Sequence, residues 1–203
     1  MADLRKVLDA ASKAVKKKYG TAYTERAEHE LVEASVYAST GSLALDRAIA
    51  RQLPGGIPVG PRHGWVSHFF GDPSIGKSAF LDYLIKGVLD LGGAALVSET
   101  EGSRLRHFAE AAGVDLNLME IQKPGTLEEL FDWGLEFLRV FRAENAKVPF
   151  IWGVDSFEMI EAERTFGVAM SGKEAGKYDF GGGRSQVISA GCRKMAHICS
   201  TTP

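Results

Sequence analysis

The sequence predicts an α/β protein with a doubly wound, mostly parallel sheet, and three observations predict it. Short apolar runs, Ala94-Ala95-Leu96-Val97 and Val148-Pro149-Phe150-Ile151-Trp152-Gly153-Val154-Asp155, read as strands buried on both faces. Amphipathic stretches of helical period alternate with them, as repeated strand–helix units require. A glycine-bounded turn, Gly71-Asp72-Pro73-Ser74-Ile75-Gly76-Lys77-Ser78, lies between an expected strand and an expected helix.

Composition narrows the class. At 203 residues and 45% hydrophobic, the chain has enough apolar mass for one globular core with a small appendage. The expected division is residues 1–38, a helix and a short strand, and residues 39–203, the core. A formal net charge of −2 leaves no global basic field, so any nucleic acid is met by a local patch. Cys192 and Cys199 are the two cysteines; they exclude a disulfide framework and suit a reducing, cytoplasmic setting. No apolar run approaches the ~18 residues of a membrane span, and the N-terminus lacks the form of a signal peptide.

In chain order, Asp3 caps a helix expected to run to about Tyr19, with Leu4, Val7, Leu8, Ala11, Val15 and Tyr19 on one stripe. Lys13, Lys16, Lys17 and Lys18 crowd its negative dipole end. The stripe packs either on the chain's own core or on a neighbouring subunit. Ser35–Ala38 is a short strand. Ser39-Thr40-Gly41-Ser42 opens a helix ending near Gln52, and Pro54–Gly60 is a stiff turn feeding the first core strand, Trp65-Val66-Ser67-His68-Phe69-Phe70. His68 is expected in the core. Ala79, Leu81, Leu84, Ile85, Val88 and Leu89 then recur at helical spacing up to Gly92-Gly93. Ser98-Glu99-Thr100-Glu101-Gly102 follows the next strand, then a helix to Ala112 and a strand over Leu118–Gln122. Thr126-Leu127-Glu128-Glu129 is a capping box for a helix with Leu127, Leu130, Phe131, Leu138 and Phe141 inward. Residues 161–183 read as a mobile, glycine-rich basic loop, and Arg184–Cys199 as the last helix.

The chemistry centres on the glycine turn, which fits G-x-x-x-x-G-K-[ST]. Glycines let successive N–H groups point at an anion, and the following helix adds its positive dipole end. Gly71, Asp72, Pro73, Ser74, Ile75, Gly76, Lys77, Ser78 and Ala79 form the expected nucleotide-binding set. Lys77 reaches the β- and γ-phosphates, and the Ser78 hydroxyl ligates Mg²⁺. Ligands of open α/β sheets sit beyond the carboxyl ends of the strands. Asp155 ends one strand and belongs to the Mg²⁺ shell; Glu101, after another, is the candidate base for attack on the γ-phosphate, with Glu99 its rival.

The same residues carry a resemblance to the RecA-type recombinases. Ser39–Asp46 resembles that family's entry to its core, Gly55–Gly60 its following turn, and Gly71–Ser78 its phosphate loop. Thr100-Glu101-Gly102 is similar to the archaeal and eukaryotic members, and Gly113-Val114-Asp115 to the bacterial ones. Val154-Asp155-Ser156 resembles the family's Mg²⁺-side strand end, and Cys192-Arg193-Lys194-Met195 a helix segment. The resemblance implies a RecA-like fold, Glu101 and Lys77 as catalytic residues, and Phe108 as an aromatic stacking on adenine. It also implies ATP and Mg²⁺ as cofactors and filaments gripped through the leading helix. Single-stranded DNA would be bound through Arg164, Lys173, Lys177, Arg184 and Arg193, with strand exchange in recombination and repair. The loop is longer and richer in glycine than in bacterial RecA, as in some phage recombinases. A γ-phosphate sensor strand and second DNA loop of the family are absent from the 203 residues, so a core truncated at the C-terminus is expected. Poor solubility and no DNA-stimulated hydrolysis are expected with it, and Val187, Ile188, Met195 and Ile198 should need covering by further strands. A ring helicase, a regulatory ATPase and a non-catalytic ATP-binding subunit are the alternative readings.

Overall fold

The computed structural model describes residues 36–59, 66–102, 104, 106–145, 147–162 and 182–201, and six positions between 10 and 18. The chain divides into two compact units, Met1–Ala34 and Ser35–Pro203. In the first, Ala10, Ala11, Lys13, Ala14, Lys17 and Lys18 are helical. The rest of the expected leading helix lies outside the described residues.

The second unit opens with β1 (Tyr37–Ala38), α1 (Leu43–Ala50) and β2 (Ile57–Pro58), the two strands pairing antiparallel. Pro54–Gly60 was expected to lead into a core strand, and instead Ile57 and Pro58 return to pair with β1. Gly56 explains the return: at φ +125° a Cβ there would lie 2.0 Å from the Ala38 carbonyl oxygen, so only glycine lets the backbones approach. Ser42 caps α1, accepting from the Leu45 amide. Buried Asp46 folds back to accept from Ser39 Oγ at 2.6 Å, Thr40 N at 2.7 Å and Thr40 Oγ1 at 2.6 Å. Burial pushes its carboxyl up, but the donors from Ser39 and Thr40 outweigh it and hold it below the ordinary range.

The main sheet is parallel, in the order β4-β3-β5. Its strands are β3 (Ala94–Glu99), β4 (Met119–Gln122) and β5 (Phe150–Asp155), and the register sets Glu99 beside Asp155. Alternate side chains of β3 serve opposite faces. Ala95 and Val97 join Ile85 of α2 (Lys77–Leu89), Ala109 of α3 (Arg106–Ala111) and Val114 in one core. On the other face Leu127 and Leu130 of α4 (Leu127–Glu144) cluster with Ile160 and Ala162. Trp152, Val154, and Val187 and Ile188 of α5 (Gly182–Thr201) pack against that cluster. Each fully buried aliphatic side chain is worth about 1.5–3 kcal/mol, so helices on both faces, not propensity alone, hold the sheet. The fold is the expected α/β class. Val187 and Ile188 pack against the α4 cluster and are half-buried there.

Two expectations fail at the start of the core. Residues 66–70 carry no strand pairing, and Val66, Phe69 and Phe70 are exposed. Local aromatic contacts replace a ladder there: Phe69 meets Phe80 edge-on at 4.9 Å, and His68 lies 5.8 Å from Phe70. His68 is accordingly exposed, not a core residue. One further approach positions α2. A Cβ on Gly87 would stand 2.1 Å from the Ser39 carbonyl oxygen, so helix and segment touch backbone to backbone.

Candidate nucleotide site

The turn between residues 71 and 76 winds through Ser74 at φ +63° and Gly76 at φ +96°. Nothing would crowd a Cβ on Gly76, so the left-handed backbone is what requires glycine there. Gly76 is the N-cap of α2, and no acidic residue occupies that helix's first turn. The first amides therefore keep their positive end free of an internal carboxylate. Lys77 Nζ donates to the carbonyls of Gly71 at 2.9 Å and Asp72 at 3.0 Å. The loop thus folds around its own ammonium. Ser78 and Ala79 are exposed behind it.

At the carboxyl ends of β3 and β5 a hydrogen-bonded bracket holds two carboxylates. Thr100 N donates to Asp155 O at 2.9 Å. The Thr100 hydroxyl accepts from Ser156 N at 2.8 Å and donates to Ser156 O at 2.8 Å. Ser156 Oγ in turn donates to Glu101 Oε1 at 2.9 Å. Glu99 is buried at the end of β3 and accepts the Glu101 amide at 3.0 Å. The two rivals differ in access: Glu101 is exposed and Glu99 is not.

Beneath the bracket lies a charge cluster that sequence reading missed. Asp82, on α2, is paired with the Arg104 guanidinium. The other end of that guanidinium, Nη1, stands 3.8 Å from Asp155 Oδ2. Burial pushes the Asp82 carboxyl up, Arg104 pulls it back and Asp155 adds to the rise, leaving it above the ordinary range. The available signal was an acidic residue among the apolar positions of α2, between Leu81 and Leu84. Arg104 itself had no local signature.

Lys77 and Ser78 open α2, while Glu101 and Asp155 meet through Ser156 and Thr100 at neighbouring strand ends. Phe108 is 58% exposed on α3, with its ring 4.3 Å from that of His107. Arg193 is exposed on α5, and Arg184 lies in the first turns of that helix. Arg164, Lys173 and Lys177 lie outside the described residues. Cys192 is a free, half-buried thiol. Among the described residues, no three His, Cys, Asp or Glu side chains gather as a metal cage. Ser78 and Asp155 supply the hard oxygens that Mg²⁺ takes beside nucleotide phosphates, so the donor chemistry fits an ion carried in with a nucleotide. No helix of the described residues is long and apolar enough to cross a membrane.

Fold and strand-end site define an α/β protein with a phosphate-loop motif at the head of a helix. No family model matches the chain. It is 33% identical to protein RecA of Lactobacillus acidophilus over 122 residues, 60% of this chain and 32% of that protein. Protein RecA of Rubrobacter xylanophilus is 30% identical over 130 residues, 64% of this chain and 36% of that one. Protein RecA of Lactobacillus johnsonii is 31% identical over 127 residues, 63% and 33% of the two chains. The chain is similar to these RecA proteins over about three fifths of its own length and spans about a third of theirs.

Proposed function

We propose that the protein binds ATP with Mg²⁺ in the loop 71–78, hydrolyses it, and uses it to act on single-stranded DNA in homologous recombination. The observation that carries this reading is the loop itself. Its Lys77 ammonium is held on the Gly71 and Asp72 carbonyls, at the head of a helix whose first turn carries no acid. Lys77 would exchange those carbonyls for the β- and γ-phosphates, and Ser78 and Asp155 would hold Mg²⁺. Glu101, kept in place by Ser156, would take a proton from the attacking water. The relatedness to RecA proteins supports recombination over a ring helicase or a regulatory ATPase. On this reading the protein is cytoplasmic, forms filaments through residues 1–38, and meets DNA through Arg164, Lys173, Lys177, Arg184 and Arg193, with Phe108 against the adenine.

The test measures ATP binding and ATP-dependent retention of single-stranded DNA, for the wild type and Lys77→Ala. Both should be lost in the variant, because the only fixed cation of the phosphate loop is gone. ATP binding unchanged by the substitution would remove the loop from the reading. A wild type that binds ATP but never retains DNA would remove recombination and leave an ATPase of another kind.

A further inference from the structure

We propose that Arg104 is a built-in rival cation for Asp155, held there by Asp82, and that it raises the Mg²⁺ concentration at which the protein takes up a nucleoside triphosphate. This rests on the reading that Asp155 belongs to the Mg²⁺ shell. Three observations carry it. The Asp82, Arg104 and Asp155 side chains are only 5%, 8% and 17% exposed, so water screens their charges weakly. The guanidinium is fixed at one end by its pair with Asp82 on the phosphate-loop helix. Its free end stops 3.8 Å from Asp155 Oδ2, too long for a hydrogen bond, and its buried Nη1 has no hydrogen-bond partner among the described residues.

A buried donor left unmade costs free energy that folding alone does not recover. Two carboxylates share one guanidinium, so the trio keeps a net negative charge centred on the less buried member, Asp155. A divalent cation arriving there must share Asp155 with a positive charge that cannot withdraw, since Asp82 anchors it. Arg104 therefore sets a threshold. At low Mg²⁺ it screens Asp155 in place of the ion, and nucleotide occupancy follows free Mg²⁺ rather than nucleotide alone. Arg104 is a positioning residue, acting on Asp155 and not on the reacting atoms.

The experiment titrates Mg²⁺ into the 203-residue protein at fixed fluorescent ATP analogue and reads bound nucleotide. Arg104→Leu alone leaves two buried carboxylates facing each other, so the informative variants neutralise both partners: Asp82→Leu/Arg104→Leu, and the near-isosteric Asp82→Asn/Arg104→Gln. Far-ultraviolet circular dichroism selects whichever pair folds as the wild type does. The Mg²⁺ midpoint should fall by roughly fivefold or more, the lower end of ordinary coupling between two sites. Arg104→Lys, which keeps the charge, should stay near the wild type. A folded neutral pair with an unchanged or higher midpoint overturns the proposal. So does loss of folding in both pairs, which would make the cluster a support of the fold. A wild type that binds no nucleotide at any Mg²⁺ concentration instead sinks the function proposed above, and binding indifferent to Mg²⁺ sinks the role of Asp155.

Discussion

Glu99 and Glu101 stand two residues apart on one strand end and differ in what they can reach. β3 ends at Glu99, which is buried and accepts the amide of Glu101, while Glu101 lies beyond the strand in an exposed bend. Glu101 faces outward with one oxygen held by Ser156 Oγ at 2.9 Å. If Glu101 is the base, Glu101→Gln leaves nucleotide binding nearly intact and slows hydrolysis by roughly 10²–10⁴-fold, the usual worth of a positioned base. Glu99→Gln keeps an acceptor for the Glu101 amide and should change little. Ser156→Ala frees the Glu101 carboxylate to rotate and should cost about tenfold, one charge-assisted hydrogen bond of roughly 1.5 kcal/mol. Single-turnover hydrolysis in the three variants decides. A large loss in Glu99→Gln beside a small one in Glu101→Gln would exchange the two roles.

Among the elements, the β1–α1–β2 segment depends on one buried carboxylate. Asp46 ties Ser39 and Thr40 to the first turn of α1, and its folded-state pKa is depressed. Its contribution is therefore fully present above its unfolded value, about 3.9, and is lost as the pH falls through the lower folded value. Asp46→Ala should cost about 2–4 kcal/mol near neutrality, by stranding buried donors. Urea unfolding at pH 7 and pH 3 should show the gap between variant and wild type narrowing in acid; a gap unchanged between the two would refute the charge-based account. This element also shows what sequence makes legible. Ser42 and Thr126 were readable as caps because a cap and its amide lie three residues apart. The apolar run from Ala94 was readable because a parallel strand is buried on both faces. Residues 66–70 have the composition of a strand, yet a strand exists only with a paired neighbour. The site divides in the same way: Gly71–Ser78 is local and could be read. Ser156 with Glu101, 55 residues apart, and Arg104 with Asp82, 22 apart, are made by tertiary packing and leave no periodicity behind.

On the scale of the molecule, α2 joins three features along its length. Its head is the glycine loop 71–78, proposed to hold phosphates, its middle carries Asp82 toward Arg104 and Asp155, and Gly87 presses on the Ser39 carbonyl. Gly87→Ala puts a Cβ where backbone oxygen already stands, so helix or segment must shift. The variant should fold and keep every residue of the candidate site, yet bind nucleotide more weakly, with equilibrium titration beside circular dichroism as the check. Affinity equal to the wild type in a folded Gly87→Ala protein would contradict this. The contact makes the helix a lever with its fulcrum at a residue that has no side chain to cushion it. Gly87 lies ten positions from Lys77, an arm of about 15 Å at 1.5 Å per residue. A tilt of about 4° at the fulcrum swings the loop by roughly 1 Å, a misplacement able to cost on the order of 100-fold in a reaction that depends on alignment. Whatever moves Ser39 would thereby aim the phosphates.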